Sequence, residues 1–136
     1  ADPAFVASQQ GNLRIDTVAT DLAHPWGISV LPDGRLLVTE KSGRLRLVSQ
    51  DFKLNPKPIE GLPEVVSQGQ GGLFDVVLHP QYAQNGWIYW AYNAPGPGGR
   101  SNSPARKLRL PVGRKRYHRL LPQVPQKARS AHSEEA

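Results

Sequence analysis

The sequence predicts an all-β fold, and three observations carry that expectation. Short apolar runs alternate with polar residues or are rich in β-branched and aromatic side chains. Turn signals separate them about every eight to twelve residues. No apolar pattern of helical period appears in 12–93, and the 13 glycines and 13 prolines supply many places to reverse the chain. A sandwich, a barrel and a propeller all fit this pattern.

The elements follow in order. "ADPAFVASQQG" (1–11) reads as a flexible N-terminus. "LRIDTVAT" (13–20) alternates at period two and predicts a half-buried strand. Ile28, Val30 and Leu31 form the next strand, and Pro32-Asp33-Gly34 turns it, because proline presets φ and glycine accepts positive φ. Leu36 to Thr39, the turn Lys41-Ser42-Gly43, and a strand with Leu45, Leu47 and Val48 complete a meander. The proline- and glycine-rich stretch 52–72 reads as a connecting loop. "LFDVVLHP" (73–80) is nearly all apolar, which predicts a strand buried on both faces. "QYAQNG" turns, and "WIYWAYN" (87–93) is a strand of high β propensity.

Charge divides the chain near Asn93. The formal net charge is +6, but residues 1–93 hold seven Lys and Arg against nine Asp and Glu. Residues 94–136 hold ten against two, and only Tyr117 of the aromatics. This Pro/Arg-rich segment has the composition of a disordered basic tail, or of one read in a shifted frame. Its "RKLRLPVGRKRYHR" could bind nucleic acid or an anionic surface by charge alone. It carries no recognised nucleic-acid motif, so no nucleic acid is expected as partner. The chain has no cysteine, which excludes disulfides and thiolate metal sites and suits an oxidising compartment. No stretch approaches the ~18 apolar residues of a membrane helix. The first residue is not Met, which fits a trimmed, exported chain in the periplasm or outside the cell.

"HPWGISVLPDGRLLVTEKSGRLRLV" followed by "GQGGLFDVVLHPQYAQNGWIYWAY" resembles the beginning of the soluble aldose sugar dehydrogenases of the glucose/sorbosone dehydrogenase family. The likeness covers about 13–93. It implies part of a six-bladed β-propeller, about one blade and part of a second. It also implies an oxidoreductase that converts the anomeric hydroxyl of aldose sugars to lactones, with pyrroloquinoline quinone as electron acceptor and calcium beside it. The arginines, lysine and calcium ligands of such a site would come from later blades. The chain alone is therefore expected to be inactive and not to retain the cofactor. A non-enzymatic propeller that binds carbohydrate is the alternative.

The loop "GQGG" (69–72) holds the first candidate site. Read from its residues alone, it is a hairpin whose glycines serve the turn. The resemblance implies that Gln70 and Gly71 lie beside the cofactor. A neutral amide can donate and accept, so it can hold quinone carbonyls or sugar hydroxyls without added charge. His79 tempts as a proton acceptor, but six strand residues at about 3.3 Å each place it roughly 20 Å away. It reads as a strand-ending corner with its imidazole bonded to backbone. His24 and Trp26 read as structural, and Asp75, in an apolar strand, needs a partner such as a loop amide or an arginine. The resemblance places the general base at a histidine followed by a Gly-Gly turn. His132, in "QVPQKARSAHSEEA", stands where that base would be, with Ser133-Glu134-Glu135 in place of the turn. The other reading of His132 is a tail histidine without a role.

Overall fold

Short strands and tight turns shape every described part of the chain, residues 2–110 of a computed structural model. A first antiparallel sheet has the order β3 (Pro25–Val30), β4 (Leu36–Glu40), β5 (Leu45–Val48). This is the predicted meander. Asp33 closes its first turn by accepting from the Arg35 amide and guanidinium, and Gly34 takes φ 88°. The 52–72 loop runs back along β5 through bridges Val48↔Leu54 and Leu45↔Ile59, so Ile59 is buried. At the turn before it, the Ser49 hydroxyl and then Lys53 hold the Asp51 carboxyl below its ordinary range.

A second sheet has the order β10 (Ala105–Arg109), β7 (Trp87–Tyr92), β6 (Leu73–Leu78), again antiparallel. One helical turn, α1 (Tyr82–Asn85), joins β6 to β7. The sheets pack where β6 meets β3 and β4. Leu31, Leu37, Leu45 and Leu47 face Leu73, Val76, Ile88, Trp90, Leu108 and Leu110 across one core. Two smaller antiparallel pairs complete the strands among the described residues: β1 (Ala4–Ser8) with β2 (Gly11–Ile15), and β8 (Ala94–Pro95) with β9 (Ser101–Asn102).

Three features differ from the sequence reading. Residues 4–8, expected to be flexible, form β1. A two-residue turn at Gln9-Gln10, braced by the Ser8 hydroxyl donating to the Gly11 carbonyl (2.6 Å), pairs β1 with β2. The strand expected over 13–20 accordingly ends at Ile15, because β1 offers no partner beyond it.

The second difference lies beyond Asn93, where irregular tail was expected and β10 instead pairs with β7 from Ala105↔Ala91 to Arg109↔Trp87. Alternation was hidden there because the cationic residues Lys107 and Arg109 lie over the Trp87 ring, 4.5 and 4.7 Å from its centre. The rest of the tail, 111–136, lies outside the described residues.

Third, β6 is buried on one face only. A register shift between Leu73 and Val76 turns Asp75 and Val77 outward, and Val77 is half exposed.

If β10 is part of the core, Leu108→Ala should lower stability by about 2–4 kcal/mol, while exposed Arg106→Ala stays near neutral. Chemical denaturation of the two variants checks this; equal midpoints would make the segment a tail.

Candidate functional site

The Gly-Gln-Gly-Gly loop leaves the seam between the two sheets, and three sets of contacts define it. The first comes from Lys41, just after β4. Its carbonyl accepts from the Leu73 amide (3.0 Å), its amide donates to the His24 carbonyl (3.0 Å), and its Nζ donates to the Gly69 carbonyl (2.6 Å). The second comes from Asn93, just after β7. Its carbonyl accepts from the Val66 amide (2.8 Å), and its amide donates to the Gly72 carbonyl (2.9 Å). Its Oδ1 accepts from the Gly72 amide (3.3 Å). The third is the loop's own turn, closed by the Gly71 amide donating to the Gln68 carbonyl (2.8 Å).

Glycine is required here by close approach. A Cβ on Gly72, at φ 157°, would stand 2.6 Å from the Lys41 carbonyl oxygen. One on Gly71 would stand 3.0 Å from the Val66 carbonyl oxygen and 3.1 Å from the Asn93 side chain. On Gly69 it would meet nothing within 4 Å, so this side of the loop borders open space. Gln70 is exposed, and its side chain forms no hydrogen bond among the described residues. The arrangement holds the backbone at three points and leaves one neutral amide presented outward.

Behind Lys41 lies a buried charge cluster. The Glu40 carboxylate is fully buried and accepts from the Ala23 amide (2.7 Å), the Arg46 guanidinium (3.2 Å) and Arg44 Nε. Arg46 is itself buried and also donates to the Asn55 carbonyl (3.1 Å). A buried carboxylate is tolerated when its oxygens are met in this way. The cluster fixes the corner from which Lys41 projects.

The other sequence candidates fall elsewhere. His79 is a corner, as expected: its Nδ1 accepts from the Gln81 amide (3.0 Å) and faces Asn85 Nδ2 (2.8 Å), while its own amide donates to the Trp87 carbonyl (2.9 Å). Asp75 caps the amide of Val76 (2.9 Å), so its partner is the next residue. Trp26 is 61% exposed, with its ring edge-on to Phe74, where packing in a buried strand was expected. His24 is exposed at φ 49° and contributes its carbonyl to Lys41. His132 lies outside the described residues. Sequence reasoning missed Lys41 and Asn93, since one reads as a turn residue and the other as a strand end. Among the described residues no cluster of three His, Asp or Glu side chains could hold a metal. No helix among them is long and apolar enough to cross a membrane.

Meandering antiparallel sheets packed on a shared core, with a glycine loop at their seam, define an all-β protein of the propeller class. Solved structures agree. A glucose dehydrogenase superposes with TM-score 0.62 at 43% identity, over 66% of this chain and 26% of that one. The PQQ-bound aldose sugar dehydrogenase of Streptomyces coelicolor does so with TM-score 0.62 at 25% identity, over 82% and 30%. Among curated relatives, aldose sugar dehydrogenase YliI of Escherichia coli is 36% identical over 99 residues, 72% of this chain and 26% of its own. The family pattern of the glucose/sorbosone dehydrogenases matches residues 22–133. The chain belongs to the glucose/sorbosone dehydrogenase family, and spans about a quarter of the length of these relatives.

Replacing Glu40 by Ala should cost about 3 kcal/mol, because Arg46 would be left buried without its countercharge. Thermal melting checks this; a loss within about 0.5 kcal/mol, the range of ordinary surface changes, would show that water replaces the carboxylate.

Proposed function

We propose that the chain forms part of the cofactor-facing rim of a sugar dehydrogenase that oxidises the anomeric hydroxyl of aldoses to lactones. Pyrroloquinoline quinone would supply the two-electron acceptor. The observation that carries this reading is the exposed Gln70 amide on a loop held at three points and bordering open space. Such a loop fits a planar, carbonyl-rich ligand. The backbone at Gly69 can be approached closely, and the amide can donate to a ring carbonyl or accept from a sugar hydroxyl. With the loop backbone already ordered, only the Gln70 side chain has freedom to lose when the ligand arrives.

Gln70 and Gly71 are the cofactor contacts of this proposal. Gln70 bonds directly, and Gly71 lets the turn close against Asn93. Among the described residues no three carboxylate or imidazole side chains converge, so they do not supply the charged core of a calcium site. Calcium, if used, is held by other parts of the protein, and no role here depends on it. His132 is retained as a candidate base on sequence position alone. The likeness to aldose sugar dehydrogenases and the lack of cysteine support a periplasmic or secreted location.

Two experiments test the reading. The 136-residue chain mixed with pyrroloquinoline quinone, calcium, an aldose and a dye acceptor should give no turnover; a rate above background would refute its predicted inactivity. A hybrid in which residues 22–110 replace the matching segment of the E. coli relative should reduce dye with an aldose. In that hybrid Gln70→Ala should lower kcat/KM by about tenfold to a hundredfold, the worth of one or two hydrogen bonds in a closed site. An unchanged rate would remove Gln70 from the site, and sugar binding without dye reduction would favour a carbohydrate-binding module.

A further inference from the structure

We propose that Lys41 is the positioning residue of the Gln70 loop: a cation on the first sheet that sets the shape of a loop on the second. The idea rests on the reading of Gln70 as the ligand-facing amide. Its geometric basis is independent of that reading. Lys41 is tied at three atoms, its amide to His24, its carbonyl to Leu73 and its ammonium to Gly69. The first two join the end of β4 to the start of β3 and to the start of β6. From that junction the side chain reaches across the seam to the loop.

The loop needs such a tether. Three of its four residues are glycine, the residue with the most backbone freedom to lose on ordering. Asn93 holds its far end, at Gly72, and the Gly71 amide closes a single turn onto Gln68. Gly69 has no packing neighbour that a side chain would touch, and its carbonyl is met by the Lys41 ammonium. Without that donor, Gly69 and Gln70 would depend on one turn hydrogen bond. With it, the peptide before Gln70 is oriented, and so is the point from which the Gln70 side chain leaves the backbone.

The buried cluster behind Lys41 makes the tether rigid at its root. Glu40 is the neighbouring residue, and its carboxylate is clamped by Arg44, Arg46 and the Ala23 amide. Movement of the β4 end would break a buried ion pair, so the flexible part of the tether is confined to the lysine stem.

Amide hydrogen exchange on the full 136-residue chain tests the proposal, comparing Lys41→Met, which keeps the stem and removes the donors, with Lys41→Arg, which restores them. Exchange at the Gly71 amide should quicken about fivefold in the Met variant, as expected for losing one exposed hydrogen bond from a charged group, and stay within about twofold in the Arg variant. The amides of Leu47 and Ile88, and the melting temperature, should not change. Unaltered exchange at Gly71 would overturn the proposal. So would quickening spread equally over β4 and β7, or a Met variant that does not fold, since either would make Lys41 a general stabiliser. In parallel, quinone binding by the hybrid protein is followed through its absorbance. If neither the hybrid nor its Gln70→Ala variant perturbs the quinone, the cofactor reading fails, while the exchange pattern still decides the role of Lys41.

Discussion

The two sheets make their tightest backbone approach where side chains are missing. At the seam a Cβ on Gly27 would stand 2.5 Å from Asp75 Oδ1, and one on Gly72 would stand 2.6 Å from the Lys41 carbonyl oxygen. These glycines bring backbone against backbone, so the Leu73 amide can reach Lys41 and the Ser29 hydroxyl can reach the Val76 carbonyl. The core follows from this contact. Once β6 lies against β3 and β4, the leucines of the first sheet face Leu73, Val76 and Ile88 and leave water together. Hydrophobic burial supplies most of the driving force, and the glycine seam decides where it is spent.

The same seam creates the candidate site. A loop that enters a sheet at a backbone-to-backbone contact must take its direction from the neighbouring sheet. The glycines that permit the contact are also those that would leave the loop disordered. Lys41 and Asn93 resolve that conflict from opposite sides, one with a charged donor and the other with a backbone amide that donates to the Gly72 carbonyl and a side-chain oxygen that accepts from the Gly72 amide. Order is thereby given to the peptide and withheld from the Gln70 side chain, which stays available. Polar satisfaction of the backbone and a presented amide are two results of one arrangement.

Two apolar surfaces have a different character. Trp26, Ile28 and Val30 lie on the exposed side of β3, and Phe5, Val6, Leu13 and Ile15 are exposed on the β1–β2 pair. Apolar surface of this extent on edge strands is prone to association in isolation. It fits a chain that spans about a quarter of its relatives' length. Sheets that pack face to face normally share such surface with a neighbour.

The all-β class, the meander of 26–48 and the strands of "LFDVVL" and "WIYWAY" were legible in the sequence, because period-two patterning, proline-glycine turns and apolar or β-branched runs are local signals. So was His79 as a corner, since its distance from the loop follows from strand rise alone. The resemblance added Gln70, which residue type by itself left as one turn residue among glycines. Other features were decided by partners far along the chain. Pairing with β7 made a strand of Ala105–Arg109, where basic residues concealed the buried Leu108. A register shift turned Val77 outward in a run that read as buried throughout. Lys41 gained its place only when Gly69, twenty-eight positions later, came within hydrogen-bond reach. Sequence carries what neighbours along the chain determine; which backbone may approach which, and so which cation meets which carbonyl, exists only after the sheets have closed.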